Sequence, residues 1–200
     1  MGEYLGWSRR KYLDLYESLP WKVLVRNREA SFGSIRNVHQ HILQVYASWL
    51  VWMFQRRSLK PVLQQLDPKK FRPVASMAQL RKLDRTIDRE FRAVIRRSTA
   101  ARMRRKHWFT DKGGRSAFTE VEGLWHMVEE DLLHRGEIIC MLWQDDVAPP
   151  NTSHLLWRYE TSPREFSYMP YRFATPNPRV ARKVTPIRSS ERKRGTRAAT

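Results

Sequence analysis

The chain has 200 residues, with 38 Lys and Arg against 20 Asp and Glu, a formal net charge of +18. A single cysteine, Cys140, excludes an internal disulfide framework and any cysteine-based zinc finger. The longest apolar run, Ile42 to Phe54, falls short of the roughly 20 residues that span a bilayer, so no membrane partner is expected.

In chain order, Leu5, Tyr12, Leu15, Tyr16 and Leu19 predict a first helix over residues 3–19, ended by Pro20, with one further turn over Trp21 to Val25. The polar stretch Asn27 to Gly33 reads as a loop. A second helix is predicted from about Ser34 to Gln55. Ile35, Val38, Ile42, Val45, Tyr46, Trp49, Leu50 and Met53 make its broad apolar face, with His41 and Asn37 among the few polar residues near it. His39 points elsewhere and is expected to be exposed. From spacing alone, His41 reads as a core histidine satisfied by one hydrogen bond.

Residues 56–75 carry Pro61, Pro68 and Pro73 and read as a connector. Ser76 with Gln79 is a capping-box signal for a third helix running to about Arg105 through Met77, Leu80, Leu83, Ile87, Phe91 and Val94. The other positions of that helix are dense in arginine. They read as a solvated face or, more sharply, as a surface for an acidic partner. His107 to Thr110 and Arg115 to Phe118 flank Asp-Lys-Gly-Gly as a small β-hairpin. Thr119 with Glu122 forms a second capping box and opens the fourth helix, which Pro149 and Pro150 end.

That fourth helix carries the chemistry. Glu130 and His134 are four residues apart and therefore share a face, where a carboxylate and an imidazole can hold one metal ion. His126 lies on the same face, but eight residues at ~1.5 Å each keep it ~12 Å from His134. The helix thus offers His126 with Glu130 or Glu130 with His134, and a third ligand must come from elsewhere, His41 being the candidate. Glu129, Asp131 and Cys140 lie off that face and receive no role.

Together these elements predict an all-α four-helix bundle with one longer crossover and a small β-hairpin before the last helix, spanning residues 1–150. Residues 151–200 contain Pro163, Pro170, Pro176, Pro178 and Pro186 and read as an irregular, disordered or loosely packed tail. Its aromatic residues either dock on the bundle or, interleaved with arginine, stack on single-stranded bases.

The segments Gly33-Ser34-Ile35-Arg36, His41-Ile42-Leu43, Trp49-Leu50, His134-Arg135-Gly136-Glu137-Ile138 and Pro149-Pro150 resemble, in that order, the DinB-like (DinB/YfiT) proteins over about residues 1–150. The resemblance implies a bundle that holds one divalent ion by three histidines, one from helix two and two from helix four. Carried over by position, these fall on His41, Glu130 and His134, so Glu130 stands where the family has a histidine. Two nitrogens and a carboxylate still form a site with open positions, shifted toward harder ions, with zinc, nickel, manganese and iron as candidates. The resemblance favours Glu130/His134 over His126/Glu130.

It further implies a metal-dependent thiol S-transferase or thiol-dependent isomerase, acting with a low-molecular-weight thiol on a small electrophile and without a protein nucleophile. A homodimer is part of the same expectation, while a cytoplasmic location is expected from the single cysteine, which fits a reducing compartment. The rival readings are a damage-inducible stress-response protein with a structural or vestigial metal, and a basic nucleic-acid-binding protein using helix three and the tail. Arg135 reads as a structural salt-bridge partner of Glu137 or of a helix-one carboxylate, and Gly136 as a point of close helix packing. A di-iron carboxylate bundle is excluded because residues 31–55 offer no acidic residue. A His-Glu-x-x-His metalloprotease motif is absent.

Overall fold

The computed structural model describes residues 2–66, 72–111 and 113–162. Four long helices form the bundle: α1 (Gly2–Glu17), α3 (Ile35–Trp52), α5 (Met77–Arg96) and α7 (Glu120–Trp143). Shorter helices are α2 (Trp21–Val25), α4 (Lys60–Gln65), α6 (Ala100–Met103) and α8 (His154–Thr161). A hairpin of β1 (Lys106–Asp111) and β2 (Gly114–Thr119) precedes α7, in register from Lys106 opposite Thr119 to Asp111 opposite Gly114. The helix α3 lies between α5 and α7, and α1 packs on α5. Apolar side chains at helical spacing fill the interior, among them Leu5, Ile42, Leu50, Ile87, Phe91 and Met127, each fully buried.

Helix starts follow their caps. The Ser34, Ser76 and Thr119 side chains accept from the backbone N–H groups of Asn37, Gln79 and Glu122. The Thr119–Glu122 box is complete, since Glu122 Oε2 also accepts from the Thr119 backbone at 2.7 Å.

Helix ends differ from the periodic pattern. The predicted third helix stops at Arg96, because Thr99 caps a new turn, α6, by accepting from the Arg102 N–H. The helix α7 ends at Trp143, before the prolines. Asp146 takes a left-handed conformation (φ 56°) and the Val147 N–H reaches back to the Leu142 carbonyl at 3.0 Å, a Schellman closure. The expected connector over 56–75 contains a 3-10 turn, Arg57–Leu59, and α4. Pro61 stands at the start of α4, where its missing N–H costs nothing. Residues 67–71 lie outside the described ones.

Part of the expected tail is helical. Ser153 caps α8, which docks on α1: Tyr4 Oη donates to the Thr152 carbonyl at 2.8 Å, and Trp7 Nε1 donates to Glu160 at 3.0 Å. The rings of His154 and Trp157 pack against Tyr4. The prolines and the aromatic residues beyond 162 lie outside the described residues.

Three further expectations are corrected by packing. His39 is buried, edge-on to Tyr16 at 5.5 Å between ring centroids. Burial, aided by the nearby Arg9 charge, pushes its imidazole down to about 3. Close helix approach occurs at Gly123, where a Cβ would lie 2.5 Å from Met53 Sδ, whereas a Cβ at Gly136 would meet nothing within 4 Å.

The third correction concerns Asp131, which is fully buried and central. It pairs with Arg9 at 3.1 Å and accepts from Tyr46 Oη at 3.1 Å. Arg135 Nε sits 2.7 Å from its other oxygen. Arg9 also reaches Asp84 at 2.8 Å and Asp88 at 3.1 Å. One guanidinium from α1 thus ties together carboxylates from α5 and α7, with a hydroxyl from α3 completing the set. Arg135 is structural, as anticipated, but its partners are Asp131 and the Ser8 hydroxyl.

Candidate metal centre

The seam between α3 and α7 brings His41, Glu130 and His134 together. A ligating atom from each lies within 4.8 Å of the other two. His134 Nε2 is 3.1 Å from Glu130 Oε2, and His41 Nε2 is 3.7 Å from the same oxygen. A tetrahedral ion with bonds of about 2.1 Å separates its ligands by about 3.4 Å, so these spacings already match what one ion requires. His134 is the most enclosed of the three, with 8 % of its side chain exposed against 23 % for His41 and 22 % for Glu130. The group is therefore anchored on one side and open on the other.

His126 also approaches Glu130, but through the other oxygen: His126 Nε2 lies 3.8 Å from Oε1. The two readings left open by helical spacing are thus separated by which carboxylate oxygen each imidazole faces. The group that shares one oxygen is His41, Glu130 and His134.

The supporting contacts are as informative as the three donors. His134 turns Nδ1 toward Glu137 Oε2 at 3.3 Å, and Glu137 accepts from the Ser31 hydroxyl at 2.8 Å. Glu137 thus stands at ion-pair distance from the nitrogen turned away from the three-residue group, without a hydrogen bond to it, while the hydrogen bond of the ring is between Nε2 and Glu130 Oε2. Phe32 stacks on the His41 ring at 4.1 Å and meets His134 edge-on at 5.4 Å. The loop that carries Ser31 and Phe32 is held by the Asn37 side chain, which donates to the Phe32 carbonyl at 2.8 Å, and by Gly33 in a left-handed turn (φ 75°). Burial and the adjacent His134 hold His41 below its ordinary pKa, with Glu130 opposing, so at neutral pH its ring is an available donor.

Sequence reading missed Ser31, Phe32 and Glu137. Glu137 carried a signal, being three residues after His134 and thus a neighbour on the helix surface. The loop residues carried none, because no period governs a loop.

Along the same seam, at His126, lies a groove of about 500 Å³ lined by Trp49, Phe118, Val121, Trp125 and His126 together with Glu122 and Glu129. Trp49 and His126 pack at 5.1 Å between ring centroids. Cys140 is exposed and is not part of the three-residue group.

No helix among the described residues is long and apolar enough to cross a membrane. The DinB family model matches residues 1–165, a span that includes every described residue. No curated protein matches the chain.

Proposed function

The chain belongs to the DinB family, and on that premise we propose that it binds one divalent metal ion through His41, Glu130 and His134 and serves as a thiol-dependent transferase or isomerase on a small electrophile. The observation that carries this reading is the convergence of two imidazole nitrogens on one oxygen of Glu130, at 3.1 and 3.7 Å. When bound, the ion supplies a Lewis acid that lowers the pKa of a coordinated low-molecular-weight thiol.

The chain's own residues have definable tasks around it. His41 and His134 both turn Nε2 toward the shared oxygen of Glu130, and Glu137 lies beside His134 Nδ1. Phe32 covers one flank of the His41 ring and keeps water from that side. The groove lined by Trp49, Phe118, Val121 and Trp125 takes the apolar part of the electrophile. The carboxylate at position 130 removes one unit of charge relative to a third histidine and biases the site toward manganese, iron or zinc over softer ions.

Metal content tests this first. Protein purified without a metal-affinity tag is expected to hold close to one divalent ion per chain, and His41→Ala to hold almost none. Titrating the bound metal into stripped protein should raise the melting temperature of the wild type and leave that of His41→Ala unmoved. Absence of metal after incubation with zinc, nickel, manganese and iron would remove both the site and the enzymatic reading. A stoichiometric ion without thiol transfer would leave the ion a structural role.

A further inference from the structure

We propose that the outward face of α5 is a docking surface for the phosphate backbone of a nucleic acid. The helix carries Arg81, Lys82, Arg85, Arg89, Arg92 and Arg96 with only three carboxylates, Asp84, Asp88 and Glu90. All three carboxylates are turned inward, with 2 %, 8 % and 7 % exposure. Asp84 and Asp88 are held by Arg9, and Glu90 by Arg56 at 2.7 Å. The fold thereby removes every negative charge of α5 from the side that faces solvent.

What remains outside is a stripe. At about 100° per residue, Lys82, Arg85, Arg89 and Arg96 fall within an arc of about 60°, opposite the buried Leu83, Ile87, Phe91 and Val94. All four are exposed. Lys82, Arg85 and Arg96 meet no carboxylate among the described residues. Arg89 comes within 3.8 Å of Glu90 only, with 72 % of its side chain open to solvent. At the edges of the stripe, Arg81 is engaged by Asp14 and Glu17 of α1, and Arg92 by Asp88.

A helix face that merely solvates its bundle gains from alternating charges at i,i+4, and like charges there destabilise it. Arg85 with Arg89 is such a like pair, and no carboxylate of the outer face among the described residues offsets it. A polyanion would relieve that repulsion. The stripe is mainly guanidinium, whose planar fork matches phosphate. Over about 21 Å of helix it runs alongside about six phosphates of one duplex strand. A lipid surface fits less well, because a membrane-surface helix must insert an apolar face, and that of α5 is spent in the bundle core.

The test uses the full chain, a fluorescently labelled duplex of about 20 bp, and salt between about 50 and 200 mM. Wild type and the triple variant Arg85→Gln/Arg89→Gln/Arg96→Gln are titrated in parallel, with circular dichroism melting to verify that both fold. The expected result is duplex binding by wild type and at least about ten-fold weaker binding by the variant. The slope of log K against log salt should be shallower by about 2.7 in the variant, three phosphate contacts at about 0.9 each. Equal binding by the two proteins would overturn the proposal and move the contact to other basic residues. So would the absence of wild-type binding at the lowest salt. Stripe-dependent binding to phosphatidylserine vesicles without duplex binding would also overturn it.

Discussion

His39 and His41 are two residues apart on α3, and about 200° of helix rotation sends their rings to opposite sides with opposite chemistry. His41 reaches the seam with α7, while His39 is sealed against Tyr16 with its Nε2 unpartnered. Unfolded, His39 takes up a proton near 6.5; folded, it does so only near 3. Between those values the unfolded state binds more protons, so stability is complete above about 6.5 and declines as pH falls, by about 1.4 kcal/mol per unit. In urea denaturation, His39→Leu should flatten the stability profile between about pH 6 and 4 by the slope of one proton. An unchanged profile would mean that His39 reaches water. The two glycines of α7 make a second residue-scale contrast. Gly136→Ala should stabilise by about 0.5–1 kcal/mol through helix propensity alone. Gly123→Ala should destabilise by about 1–3 kcal/mol, because the new methyl group meets the buried Met53 and Trp49. Thermal melts of the pair would decide it, and two shifts of the same sign would refute the packing argument. Neither histidine burial nor glycine contact was legible in the sequence, since both depend on which neighbour a helix face meets.

At the scale of elements, the sequence was most legible where the signal is local. The capping boxes read at Ser76 and Thr119 each open a helix as their spacing announced, and Ser34 caps α3 where the second helix was expected to begin. Thr119→Ala removes the hydroxyl half of the box at the start of α7, leaving the backbone N–H of residue 119 to Glu122, and should cost about 1 kcal/mol, read as a lower denaturation midpoint at unchanged m-value. A loss below about 0.3 kcal/mol would mean that the hairpin, not the cap, sets where α7 begins. Helix ends were less legible. The arginine-rich run after Arg96 has good helix propensity, yet Thr99 diverts the backbone by capping its own turn. The helix α8 escaped notice because eight residues contain too few turns to display a period.

For the molecule as a whole, the decisive feature is the Arg9 cluster, which joins all four long helices through Asp84, Asp88, Asp131 and Tyr46. Arg9→Met would leave Asp84 buried without a counter-charge, and Asp88 and Asp131 to Arg92 and Arg135, and should cost about 3–5 kcal/mol in chemical denaturation. A cost under about 1 kcal/mol would show that these carboxylates find water when the arginine is gone. The chain by itself determined the four-helix architecture, because an apolar period of 3.6 fixes which face of each helix turns inward. It also determined that Glu130 and His134 share a face, because that depends on a single turn of one helix. Only the tertiary structure decided that His41 meets that pair while His126 faces the other oxygen of Glu130. Likewise, only packing turned Asp131 into the centre of the bundle and directed Glu137 onto His134. The offset and rotation of one helix against another are set by how side chains interdigitate across the core, and no local spacing encodes them.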